Sequence, residues 1–296
     1  MLQPIRCISL VSLLLAGLSN SAVGAQDYSI QLVRKATVGE HYGIVANGSQ
    51  EQLINLSVSG EAMPPQAETT KVSITAAGEV LALTPAGREK KARFVIEKAV
   101  VAEAGPWTQL LPPGTEVVAE QSDAKTEYLV GGVPATSEVA KALDIAGIEL
   151  TGDDSVNDEQ IFGTKERKRA GEAWPIDSTA AAAGLAKKSV MVEPGNITGT
   201  STLAEIVKAG NQDALRITGT MAMKHVTMPL PPGLAVQSGE FHATFSGIFP
   251  VDPTKRVNHS GMVMDGKFVC GGKSGDNEMA MTITMKQSKD TTFSAK

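Results

Sequence analysis

Apolar and polar residues alternate along most of this chain, with the period of an extended strand. Val72, Ile74 and Ala76 fall on one side, and Leu81 and Leu83 follow beyond Gly78. Phe94 and Ile96 alternate within residues 92–101, and Val117-Val118 and Tyr128-Leu129-Val130 flank a polar turn at 121–125. The longest run is Leu215, Ile217, Gly219, Met221 and Met223, opposed by Arg216, Thr218, Thr220, Ala222 and Lys224. Phe241, Ala243, Phe245, Gly247 and Phe249 form another, and Met279, Met281, Ile283 and Met285 a third, opposed by Ala280, Thr282 and Thr284. Successive side chains of a strand point to opposite faces, so each run predicts one buried and one solvated face. Pro64-Pro65, Pro112-Pro113-Gly114, Pro231-Pro232-Gly233 and Gly271-Gly272 punctuate the runs as turns.

Helical patterns are few. Thr136 is placed to cap a helix reaching about Ala146, with Glu138 favourable in its first turn and Val139, Leu143 and Ala146 on one face. Residues 203–209 read as a short second helix, and 180–188 as a third or as a small-residue loop. Strands joined by short turns favour antiparallel pairing over parallel crossovers. The expected fold is mainly β: one large curved antiparallel sheet, or two half-barrels, with a few short helices over one side.

A short internal repeat suggests two related halves. Gly39-Glu40-His41-Tyr42 follows Arg34-Lys35, and Gly171-Glu172-Ala173-Trp174 follows Lys168-Arg169. Each precedes a new block of strands. The division this predicts is residues 26–165 and 166–296, the second half being rich in methionine.

Residues 1–25 change the picture of where the protein works. Arg6, the apolar stretch Ile8 to Leu18 and the small residues Val23-Gly24-Ala25 make a secretory signal peptide with cleavage expected after Ala25. The apolar stretch is too short to span a bilayer, and no integral membrane segment is expected after cleavage. Cys7 lies too early for a lipid anchor, so a secreted or periplasmic protein is expected. Losing the single charge of Arg6 moves the formal net charge from -5 to -6. An acidic chain without a basic run offers no footprint for nucleic acid. Cys270 is the one cysteine beyond the leader, which excludes an internal disulfide and reads as a small buried hydrophobe.

Catalytic readings do not assemble. Ser122-Asp123-Ala124-Lys125, Ser155-Val156-Asn157 and Lys273-Ser274-Gly275 have the order of the penicillin-recognising serine enzymes, but Ser122 stands in a turn where that chemistry needs a helix start. There is no Gly-x-Ser-x-Gly, and His41, His225, His242 and His259 have no evident base-orienting partner. The acidic run from Asp153 to Glu159 lacks the glycine and the final glutamate of a calcium loop. The chain is therefore read as not an enzyme.

Methionine carries the remaining signal. Of 11 methionines, eight fall between Met221 and Met285, most at every second position. Unbranched, polarizable thioethers suit an adaptable apolar surface. The leading expectation is an exported binding or carrier protein whose interior holds a hydrophobic small molecule against Leu215, Ile217, Met221, Met223, Phe245, Met279, Met281 and Ile283. A structural or protein-interaction module of the cell envelope is the second reading, with the methionines as plain core. No cofactor is expected, but a periplasmic Cu(I) site on Met221, Met223 and His225 is the third reading, because thioether and imidazole suit Cu(I).

The signal peptide, the two Gly-Glu-x-aromatic starts and Phe162-Gly163-Thr164 shortly before the second of them resemble the layout of exported bacterial proteins in families of unknown function. More loosely, the layout is similar to the periplasmic lipoprotein-carrier clamshells. That likeness implies a curved antiparallel sheet around an apolar cavity closed by helices.

Overall fold

In a computed structural model, which describes residues 26–122, 125–150, 158–187 and 189–295, the chain forms one curved, open antiparallel sheet. The signal peptide, Asp123-Ala124 and most of the acidic run from Asp153 lie outside the described residues. In chain order, β1 is His41–Val58, β2 Glu61–Ala62, β3 Gln66–Leu83, β4 Glu89–Glu103, β5 Thr108–Leu111, β6 Glu116–Ser122, β7 Lys125–Val130 and β8 Val133–Pro134. Next come α1 (Ser137–Ala146), α2 (Asp158–Phe162), β9 (Ala173–Pro175), α3 (Ser178–Lys187), β10 (Ile197–Ala209), β11 (Gln212–Lys224), β12 (Leu234–Pro250), β13 (His259–Ser274) and β14 (Asn277–Ala295). No described helix is long and apolar enough to cross a membrane.

The strands lie in the order β8-β7-β6-β4-β3-β1-β14-β13-β12-β11-β10-β9, with β2 and β5 attached to β1 and β4. The first and last long strands are therefore neighbours at the centre. They pair from Tyr42 opposite Ala295 to Val58 opposite Met279. From one edge to the other the sheet is a single meander that begins at β9, passes from β14 to β1, and ends at β8.

The alternation seen in the sequence sorts the two faces. On the inner face, which carries the helices, Tyr42, Ile44, Ala46, Ile74, Phe94 and Val117 are buried under α1 with Leu143, Ile145 and Ala146. Thr136 caps α1 as expected, its hydroxyl accepting from the Val139 amide at 3.3 Å, and Gly147 ends it in the left-handed conformation. Gly48 is what lets α1 sit so close: a β-carbon there would fall 1.8 Å from the Ile145 carbonyl oxygen. The second half buries Ile176, Ala181, Ile197, Met223, Val226, Phe268 and Cys270, with α2 and α3 contributing Ile161, Phe162, Ala182 and Leu185. A third cluster joins Ile30, from the segment before β1, to Trp174, Leu203, Leu215 and Ile217.

Two expectations about secondary structure are corrected. Gly271-Gly272 is not a turn but lies within β13, paired with Ala280 and Met279, and the chain turns only beyond Ser274. Residues 203–209 are not a helix but the end of strand β10. A bulge between Leu203 and Glu205 puts Leu203 opposite Ile217 and Ile206 opposite Leu215, both inward. Inward residues three apart are the mark of a helix, and here a bulge produces the same spacing. Of the two forms open to residues 180–188, the structure adopts the helix, α3.

The two Gly-Glu-x-aromatic segments take the same local form. Gly39 and Gly171 both have positive φ, at 81° and 87°. The Gly39 amide donates to Val80 and the Val80 amide to the Glu40 carbonyl; likewise Gly171 donates to Leu203, whose amide donates to Glu172. Tyr42 and Trp174 are buried in turn. Helix α2 packs with the later residues, since the Phe162 and Phe245 rings meet at 4.4 Å.

A candidate apolar face on strands β11 to β14

Cross-strand register assembles the inner face of the second half into rows. Met223, Phe241, Gly266 and Met285 lie side by side on β11 to β14. The next row is Met221, Ala243, Met264 and Gln287, and beyond it Gly219, Phe245, Met262 and Lys289. Glycines stand opposite the aromatic rings: a β-carbon on Gly219 would lie 2.0 Å from Phe245, and one on Gly266 2.7 Å from Phe241. Each ring thus lies flat over its bare neighbour, a pairing that fixes strand register.

Burial divides this face. Leu215, Ile217 and Met223 are at most 2% exposed, so any ligand reaching them must displace packed side chains. Met221, Phe245, Met279, Met281 and Ile283 are half-buried. Of these, Met221, Met281 and Ile283 pack against the cluster under α2 and α3, and Phe245 against the cluster around Trp174. Met262, Met264 and Ala243 are also half-buried, and among the described residues they pack against none of the three buried clusters. The structure therefore places an open apolar strip on β12 and β13, edged by Met221, Phe241 and Met285. Met262 and Met264 show alternation in the sequence. Their openness does not, because it depends on which distant segments happen to cover each row.

His225 does not share this face. Strand β11 ends at Lys224, and His225 is exposed with φ of 55°, so the alternation from Met221 and Met223 stops before it. The three proposed copper donors are thus not one set on one strand face. Cys270 is buried, and burial pushes its thiol above the ordinary value, as expected of an inert core residue. Ser122 is exposed at the end of β6 and Lys125 begins β7, a hairpin where the serine-enzyme arrangement would need a helix.

A second feature was not legible in the sequence. Arg256, in the β12–β13 connection, inserts its guanidinium 3.6 Å from the centroid of the Tyr42 ring and 5.5 Å from that of Phe293. Its Nη2 donates to Glu89 at 2.7 Å and its Nε to Glu40 at 3.1 Å. Arg34 Nη2 donates to both Glu40 oxygens at 2.7 Å. Burial pushes the Glu40 carboxyl up, but the hydrogen bonds and charges of the two arginines outweigh it and hold the group below its ordinary value. Burial and then Glu89 raise the Tyr42 phenol. The cluster borders a cleft of about 240 Å³ between residues 147–150, which follow α1, and the β12–β13 connection. With two cations against two anions and every one paired, it acts as a clasp and presents no free charge to a ligand.

No family model matches this chain, and no curated protein does. Among solved structures it is similar to lipovitellin, in a structure titled for lipid–protein interactions, at 9% identity and a TM-score of 0.35. That match covers 88% of this chain but 25% of lipovitellin, so the chain spans about a quarter of that protein's length. It is also similar to an outer-membrane channel from Pseudomonas putida F1, at 8% identity and a TM-score of 0.21, covering 90% of this chain and 99% of the other. Likenesses of this size assign no role to the chain, whose own geometry is the guide to function.

Proposed function

We propose that this chain is an exported, non-enzymatic binding or carrier protein that takes a hydrophobic ligand on the inner face of β11 to β14. The observation that carries this reading is the strip formed by Ala243, Met262 and Met264, half-buried like Met221 and Met281 but, unlike them, packed against none of the three buried clusters among the described residues. Burying each methylene against such a surface contributes about 0.8 kcal/mol, so an acyl chain of moderate length gains enough to be retained. Thioether side chains adapt to ligands of varied shape, which suits a carrier more than a selective receptor. Export with loss of residues 1–25 belongs to the same proposal.

The test is titration of the mature protein with cis-parinaric acid, a fatty acid that fluoresces once out of water. Saturable binding is expected, and Met264→Asp should remove it while leaving the circular dichroism spectrum and the melting temperature near those of the parent. No binding, or binding unaltered in the folded variant, would overturn the proposal and favour an envelope protein as the occupant of the strip.

A further inference from the structure

The outer face of the sheet holds a separate feature. Across β4, β3, β1 and β14 runs an open groove of about 610 Å³. Its floor combines small polar residues with Val100: Ser73 lies between Asn47 and Val100, and Ser49 opposite Ser288 with their hydroxyl oxygens 2.8 Å apart. Lys71 and Lys98 stand along it and make no ion pair with any described residue. Asp290 closes one end, its carboxylate 2.8 Å from a ring nitrogen of His259. Over the other end rises Trp107, 53% exposed.

The backbone on either side of Trp107 is anchored. The turn before it has Ala104 at a φ of 49°, with the Ala104 amide donating to Thr69 at 3.2 Å. The residue after it, Thr108, begins β5, and its hydroxyl donates to the Val101 carbonyl at 3.2 Å. Isolated exposed apolar side chains are ordinary. An exposed indole above a groove with two ammonium groups that make no ion pair with any described residue is a more specific arrangement. The other tryptophan, Trp174, is 5% exposed in the core.

We infer that this groove binds an acidic oligosaccharide, a chain of sugars that carry carboxylates. The C–H face of a pyranose ring is apolar and slightly positive, and it matches the negative face of an indole. Sugar hydroxyls both donate and accept, and so do the Ser and Asn side chains of the floor. Lys71 and Lys98 supply charge-assisted hydrogen bonds to carboxylates. The single aromatic over the groove offers no succession of rings for stacked bases, so nucleic acid fits less well.

The experiment is titration of the mature protein with an oligogalacturonate, read by tryptophan emission and by calorimetry. Saturable binding is expected, with Trp107→Ala at least tenfold weaker and Lys71→Gln/Lys98→Gln several-fold weaker at low salt, all with unchanged melting temperatures. A cello-oligosaccharide, equal in backbone chemistry but uncharged, should bind much less well. No binding, full binding by folded Trp107→Ala, equal binding of the neutral sugar, or tighter binding of a single-stranded oligonucleotide would each overturn the inference. Because the groove lies on the face opposite the methionine strip, Met264→Asp should leave the sugar titration unchanged.

Discussion

Met223 and Met264 have the same side chain and face the same side of the sheet, yet their consequences on truncation should differ. Met223 is 1% exposed within a cluster that includes Ile176, Ala181 and Val226. Met223→Ala leaves a cavity and should cost about 3 kcal/mol, seen as a lower urea midpoint with unchanged slope. Met264→Ala removes a half-buried side chain outside the buried clusters and should cost less than about 1 kcal/mol, while weakening apolar probe binding. Equal destabilisation by the two would show that the strip is packed in solution. The sequence marks both residues as inward through alternation, and no further, because burial is decided by the covering residues, which lie dozens of positions away. The clasp around Glu40 was invisible for the same reason, since Arg256, which joins the nearby Arg34 on that carboxylate, is distant in sequence. Its carboxyl is held low in the fold, so its contribution to stability is present above the ordinary value of 4.5 and is lost as pH falls from there through the lower folded value. Glu40→Gln should therefore lower stability at pH 7 and flatten the fall in melting temperature as the pH drops below 4.5. A variant as steep as the parent would show that other carboxylates govern acid unfolding.

Among elements, the strands were legible wherever alternation was unbroken, as in Leu215 to Met223, and the first helix was legible through its cap. The failure at 203–209 has a definite cause. One extra residue in β10 changes inward spacing from two to three, and a pattern search then finds a helix. The seat of α1 was equally hidden, because a glycine in a strand pattern does not say what approaches it. Gly48→Ala tests that seat. The added β-carbon would meet a backbone oxygen, which cannot rotate away, so α1 must shift from β1 and the loss should be about 2 kcal/mol or more. Gly60→Ala, where nothing lies within 4 Å of the added carbon, is a control for the bulk of a β-carbon, though its φ of 85° adds strain of its own. If denaturant unfolding shows Gly48→Ala no worse than Gly60→Ala, the close approach of the helix is not what the glycine serves.

For the whole molecule, the matching turns at Gly39 and Gly171 and the course of the meander support two related halves as our proposal. They are not independent. The long ladder between β1 and β14 joins them, Ile30 from the segment before β1 is buried against Trp174 and Leu215, and Arg256 reaches from the β12–β13 connection to Glu89. Alternation could not show this, since it identifies strands without saying which are neighbours, and the central pair comes from opposite ends of the chain. Separated halves would each expose one long strand edge, a template for aggregation. Residues 26–150 and 158–295 produced alone should therefore be insoluble or self-associated, whereas together they should form a one-to-one complex by native mass spectrometry. Replacing Val45 in β1 and Thr282 in β14 with proline in the respective fragments should prevent that complex, because both stand in the hydrogen-bonded phase of the ladder that the Ser59 amide's bond to Glu278 marks, and each proline removes a donor at the shared edge. Two soluble, monomeric fragments with native-like spectra would instead make these separate domains that merely touch. The methionine strip and the polar groove would then belong to different folding units, with the ladder between β1 and β14 a contact and not a foundation.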